Sequence, residues 1–288
     1  MREETRSVIM VSKEARKRLE NIGVLVVVGS GKGGVGKSTV SVNLAVALAK
    51  QGASVGLLDG DAYGPSIPLM LGVRKRTESK GWSAALPLAD LKTQQRKIQP
   101  LTRYGVKIIS VGFFIGEEQA VAPMPDALGL LMRQLLFSVD WGELDYLVID
   151  LPPGTSEPQD TFCRELVVDG AVLVTTPQDI ARIDTAKALA MFQRAHVPVL
   201  GVVHNMGSVL CPHCGELFEV FPRSTEQRNA LDSIPILGDI PLDPGVVSMS
   251  DQGYPVVVSM PESVAARVFS EMAQKVTQRL AEEREGEA

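Results

Sequence analysis

The stretch "GKGGVGKS", residues 31–38, sets four glycines around two lysines and closes on a serine. It fits the spacing G-x-x-x-x-G-K-[ST]. Glycines at these places let backbone N–H groups curl around phosphate oxygens, and the helix that opens just beyond adds a favourable partial charge. Lys37 would then reach the β/γ-phosphates of ATP or ADP, and the Ser38 hydroxyl would sit on Mg²⁺. The expected nucleotide contacts are Gly31, Lys32, Gly33, Gly34, Val35, Gly36, Lys37, Ser38 and Thr39. One lysine suffices for such a loop. Lys32 is a second, either idle surface charge or a second hand on the nucleotide.

Three acidic residues close nearby apolar runs. Asp150 ends "YLVID", and Asp59 and Asp61 follow "GLL" in "LLDGDAYGPS". A carboxylate beside a phosphate loop suits Mg²⁺, usually through its waters. Asp59 and Asp150 are therefore expected with Ser38 at the metal. Asp61 is expected to orient the attacking water, which makes Lys32, Lys37 and Asp61 the catalytic set.

A different chemistry is written in "CPHCG". Cys211 and Cys214 can offer two thiolates to one metal centre from a tight turn, and both Zn²⁺ and iron–sulfur clusters take such ligands. The chain has no second CxxC, and His213 lies inside the turn. One chain thus supplies two ligands where four are needed, and a two-fold dimer would supply four. On the residues alone, a bridging zinc, an iron–sulfur cluster and a redox disulfide all remain open. Cys163, alone in "TFCREL", reads as a buried small hydrophobe.

These residues need elements to hold them. The apolar runs at 24–28 and 53–59, and those in "VKIISVGFF", "DYLVIDLPPGT", "GAVLVTTP", "VPVLGVVHNM" and "SIPILGDIPLDP", read as strands. Helices are expected in "KSTVSVNLAVALAKQG", in "PDALGLLMRQLLFSVDWG", in "DIARIDTAKALAMFQRAH", where Ile183, Ala186 and Ala190 fall on one face, and in the closing "ESVAARVFSEMAQKVTQRLAEEREGEA". Strands apolar throughout and alternating with helices mean an α/β fold: a mostly parallel sheet covered by helices on both faces, with ligands beyond the carboxyl ends of the strands. Residues 1–20 read as an N-terminal extension and 21–288 as one domain that carries the CxxC segment 208–218. A polar stretch over 73–99 reads as a solvated insertion.

Bulk properties exclude several classes. With 288 residues and 45% hydrophobic content the chain can bury a large core, while a net charge of −5 argues against a nucleic-acid binder. The start "MREETRSVIMVSKEARKRLE" lacks the apolar region of a secretory signal, and no run approaches the length of a membrane span. Three cysteines make no disulfide framework. The expectation is a cytoplasmic protein.

Taken in order, "GKGGVGKST", "DGDAYGPS", "WGELDYLVIDLPPGT", "VVHNMGSVLCPHCG" and "LGDIPLDP" make the chain resemble the Mrp/ApbC family of P-loop ATPases, relatives of MinD and the arsenite-pump ATPases, over about residues 20–275. The resemblance implies a deviant Walker A loop in which Lys32 is the signature lysine, crossing a dimer interface to the other subunit's phosphates. It implies a slow Mg-dependent ATPase and a homodimer with a 4Fe–4S cluster bridged by Cys211 and Cys214, handed on to apoproteins together with other assembly factors. It also implies Asn205 at the adenine edge, with Pro241 and Asp243 of the "PLDP" loop against the base. The alternative is a MinD-like dimerisation switch with a structural zinc or no cluster. Its usual surface anchor, a basic amphipathic helix, is poorly matched by the acidic carboxyl end. The sequence departs from the family pattern at Ser156 and Glu157, in "LFEVFPRSTEQ" after the cysteines, and in "AVAPMPDAL".

Overall fold

The computed structural model describes residues 16–62, 64–73, 98–114, 135–154, 159, 162–163, 165–211, 213–219 and 230–287. Residues 74–97 of the 73–99 insertion, most of the helix expected to begin near Pro125, and Ser156 and Glu157 lie outside them. The strands are β1 (Ile22–Ser30), β2 (Val55–Asp59), β3 (Leu101–Arg103), β4 (Val106–Ser110), β5 (Leu144–Asp150), β6 (Gly170–Thr175), β7 (Val199–Leu210), β8 (Leu217–Glu219) and β9 (Ile236–Leu242). The helices are α1 (Lys37–Lys50), α2 (Ile67–Met70), α3 (Asp179–Arg194), α4 (Pro244–Asp251), α5 (Val256–Ser259) and α6 (Val264–Glu287).

The strands form one sheet in the order β3-β4-β2-β5-β1-β6-β7-β8, with β9 pairing β7 beside β8. From β4 through β9 the pairings are parallel, while β3 and β8 join antiparallel. The mostly parallel sheet expected from the fully apolar runs is present. β1 shows why such runs are needed. Val24, Val26 and Val28 enter one apolar core with α1 and α6, and Leu25 and Val27 enter a second with α3. A strand covered on both faces has no polar side to spare.

Two expected elements differ. The strand over "VKIISVGFF" stops at Ser110, whose hydroxyl accepts from the Gly112 N–H at 2.9 Å and starts a 3-10 turn at Val111–Phe113. On α3 the apolar face named above is not the one that packs. Ala181, Thr185, Ala188, Leu189 and Phe192 are buried, whereas Ile183 is 49% exposed. Small residues and a threonine satisfied by the Ala181 carbonyl at 2.8 Å fit closely over the sheet, and hydropathy alone does not report that fit.

Candidate nucleotide site and cysteine hairpin

The loop between β1 and α1 carries left-handed glycines at Gly34 (φ 78°) and Gly36 (φ 81°), a conformation that disfavours any residue with a Cβ. Gly31 meets a different demand. A Cβ there would lie 2.1 Å from the Asp184 backbone of α3, so only glycine lets helix and loop touch. Gly36 caps α1 without a side-chain bond, which leaves the helix N-terminus open to an anion.

Below the loop, parallel pairing sets Asp59 of β2 level with Asp150 of β5. Both carboxylates are fully buried. Asp150 accepts from Ser38 Oγ at 2.6 Å and from Ser41 Oγ at 2.7 Å, and pairs with Lys37 Nζ at 2.9 Å. Asp59 accepts from Ser110 Oγ at 2.8 Å and from the Asp61 N–H at 3.2 Å. Asp61 lies 3.5 Å from Lys37 Nζ. Burial alone would lower the Lys37 pKa, but Asp150, then Asp61, offset it, so the ammonium is held above its ordinary value. Asp59 goes the other way for a carboxylate. Burial first, and the Asp150 charge second, push it up to about 8 against the pull of Ser110, Lys37 and the Asp61 N–H.

Two buried carboxylates and a serine hydroxyl are hard oxygen donors, the set that Mg²⁺ takes. A divalent cation there would also relieve the repulsion that raises Asp59. Ser38, Asp59 and Asp150 could therefore hold Mg²⁺, with Lys37 and the loop N–H groups on phosphates. Two supporting residues were not anticipated. Ser41 sits one turn beyond Lys37, a helical spacing that could have signalled it. Ser110 ends a strand distant in sequence, and only the sheet order brings it to Asp59.

Lys32 is half-buried on the loop. Its carbonyl accepts from Ser30 Oγ at 3.0 Å, and no ion pair of its ammonium is found among the described residues. Thr39 lies in the first turn of α1, where its carbonyl accepts from Asn43. Asn205 donates to the Val35 carbonyl at 2.8 Å and accepts from Met206 N–H at 3.1 Å. The amide expected at an adenine edge is thus engaged with the loop and its own strand. Pro241 is buried at the end of β9, and Asp243 caps α4 through Gly245 N–H at 2.7 Å.

Cys211 and Cys214 occupy the hairpin between β7 and β8, beyond the same carboxyl ends that carry the phosphate loop. Cys211 N–H donates to the Glu216 carbonyl at 2.8 Å, and Gly215 N–H to the Cys211 carbonyl at 2.9 Å, which closes the turn. Backbone N–H groups of Cys214 and then His213, with the Cys214 thiol, hold the Cys211 thiol below its ordinary range. Cys214 is exposed, as are Leu217 and Phe218, each 51%. Among the described residues no group of three or more His, Cys, Asp or Glu side chains could hold a metal ion. Cys163 is fully buried.

Residues 21–277 match the family described as NUBPL iron-transfer P-loop NTPase. The chain belongs to this family. It is 42% identical over 266 residues to the "Iron-sulfur cluster carrier protein" of Aquifex aeolicus, spanning 91% of this chain and 70% of that one. It is 41% identical over 269 residues to the "Iron-sulfur cluster transfer protein NUBPL" of Mus musculus, spanning 92% and 80%. Among solved structures it superposes, with a TM-score of 0.65 and 36% identity, on a nucleotide-binding protein of Archaeoglobus fulgidus in complex with ADP, over 84% of this chain and 92% of that one. The cell division ATPase MinD of Pyrococcus furiosus gives a TM-score of 0.65 at 26% identity, over 89% and 99%.

Proposed function

We propose that this protein is an ATP-dependent iron–sulfur cluster carrier. It binds Mg-ATP on the 31–39 loop, hydrolyses it slowly, and as a homodimer holds a 4Fe–4S cluster that it transfers to apoproteins. The observation that carries this reading is the pairing of a preformed phosphate site with a two-thiol hairpin at one end of one sheet. The names borne by its relatives support the cargo. Two thiols per chain leave a cubane half-ligated, so the cluster bridges Cys211 and Cys214 of two copies. Zinc is the competing occupant of the same four thiolates.

Lys32 of each copy serves the other copy's phosphates. Asp61 orients the attacking water, and Asn205, Pro241 and Asp243 border the base, with Asn205 exchanging its loop contact on binding. Bound Mg²⁺ would polarise the phosphoryl oxygens and neutralise developing charge. Residues 21–288 act as one ATPase unit. No described helix is long and apolar enough to cross a membrane, and reduced thiols suit the cytoplasm.

Anaerobic reconstitution with iron and sulfide, read by absorption, metal analysis and mass in solution, tests the proposal. One cluster per two chains is expected, lost in Cys211→Ala and Cys214→Ala and kept in Cys163→Ala. One full centre per chain, or iron retained after loss of either CxxC cysteine, overturns it. Zinc alone, with no iron uptake, overturns the cargo.

A further inference from the structure

Asn205 is 6% exposed, and its two amide atoms face different neighbours. Nδ2 holds the Val35 carbonyl of the phosphate loop, and Oδ1 holds the N–H of Met206. The fit on the loop side is tight: a Cβ on Gly36 would lie 2.1 Å from Nδ2. On the other side Met206 stands at φ 59°, in the left-handed region that a residue with a Cβ rarely adopts. The kink falls in one of two register breaks between β7 and β9, the other lying between Val202 and Val203. β7 and β9 shift register between Asn205 and Val209. Beyond it, residues 208–210 pair with β8 and run straight into Cys211.

We propose that Asn205 is a positioning residue that ties the shape of the phosphate loop to the geometry of the cysteine pair. The inference rests on the reading that nucleotide and cluster bind where stated above, and goes beyond it by naming the link. Coupling between sites needs an element with two arrangements that both sites bias. Met206 is that element. The Oδ1 bond fixes the plane of the Asn205–Met206 peptide, from which the strand turns at Met206, and extended backbone is the ordinary alternative to its left-handed φ. When nucleotide binds, Asn205 exchanges its bond to Val35, as proposed above, and its amide turns. Met206 then relaxes, the register break between Asn205 and Val209 resolves, and residues 208–210 carry the change to the hairpin. Linkage makes the effect mutual: a cluster that fixes the hairpin shifts nucleotide affinity by the same factor.

The test uses the cluster-free, reduced full chain. Alkylation rates of Cys211 and Cys214 are read by mass spectrometry without nucleotide and with saturating Mg-ADP. ADP affinity is measured separately, and buried Cys163 serves as internal reference. In the native chain ADP should change the rates by about fivefold or more, the lower end of ordinary coupling between sites. In Asn205→Ala, at saturating ADP, the change should fall below about twofold. Met206→Gly removes the preference that makes the kink a two-state element. It should also uncouple the thiols, with ADP affinity held within about twofold, and it carries the test if Asn205→Ala does not fold. Bound ADP with unchanged thiols in the native chain overturns this inference alone. So does an Asn205→Ala chain that keeps the full thiol response but loses preference for adenine, which would make Asn205 a base contact only. Absence of ADP binding removes the functional reading and this inference with it.

Discussion

The two ends of chemistry in this protein are built in opposite ways. Around Lys37 the polar groups are paired in place: Asp59 and Asp150 are fully buried, and Ser38, Ser41 and Ser110 each donate to them. The cysteine hairpin is a turn closed by two backbone bonds and followed by a three-residue strand that is exposed throughout. The contrast teaches where each site gets its specificity. Phosphate and Mg²⁺ meet charges organised in advance within one chain, which is how electrostatic stabilisation avoids reorganisation at the moment of reaction. The thiols are presented rather than enclosed.

The largest expected effect breaks the first side of that contrast. Lys37→Ala should abolish nucleotide binding or hydrolysis, with turnover down by at least about 10²-fold. It should also destabilise the fold, because removing one partner of a buried pair leaves uncompensated charge at a cost of about 3–5 kcal/mol. Cys214→Ala is the control at the other end. It should lose the cluster yet shift stability by no more than about 0.5 kcal/mol, as exposed positions do. Denaturant titrations of both variants, beside ATP turnover, check this. Equal stability losses would show that the hairpin is not the loosely held end.

Lys32→Ala comes next. A lysine that serves the partner's transition state should leave ADP affinity nearly intact and lower turnover by roughly 10²- to 10³-fold. Loss of ADP binding as severe as that of Lys37→Ala would make Lys32 an ordinary contact within its own chain.

The same contrast governs what the sequence discloses. β1, β2, β5, β6 and β7 are legible because strands buried on both faces must be apolar throughout, and the phosphate loop is legible because its glycines answer to backbone demands. Asp59 and Asp150 could be placed at strand ends, but their levelness depends on β2 pairing β5, a long-range fact. Ser110 is hidden for the same reason. The packing face of α3 is hidden because Ala181, Ala188 and Thr185 fit by size rather than hydropathy. The β8 hairpin gave no strand signal: three exposed residues have no burial pattern to display. Asn205 could be marked as a polar residue at a strand end, but its contact with Val35 depends on the kink at Met206.

Proton linkage sharpens the buried side. With a folded pKa of about 8 against an ordinary 3.8, Asp59 holds a proton in the Mg-free folded chain between about pH 4 and 8 that the unfolded chain has released. Stability of the Mg-free protein should therefore fall as pH rises through that window. Lys37, raised rather than lowered, stays charged throughout. Mg²⁺ must displace the Asp59 proton, so its affinity should rise with pH, by at most about tenfold per unit, and level off above pH 8. Asp59→Asn should flatten both trends. An Mg²⁺ affinity that does not change between pH 5 and 8 in the native chain would mean that Asp59 is already ionised.

The smallest expected effect on activity concerns Ser41. Its hydroxyl lies 2.7 Å from Asp150 Oδ1 and 3.1 Å from the Lys37 carbonyl, so it steadies the carboxylate from beneath without facing the loop. Ser41→Ala removes one of the three groups that meet Asp150 among the described residues and leaves Ser38 and Lys37 in place. A hydrogen bond to a charged group contributes about 1.5–3 kcal/mol, and the methyl that remains still fills most of the space. Stability should drop by about that amount, and Mg²⁺ affinity should weaken only a few-fold, roughly within a factor of ten. Nucleotide affinity without Mg²⁺ should not change. A loss of activity as deep as that of Lys37→Ala would instead place Ser41 among the groups that meet the metal or the phosphates.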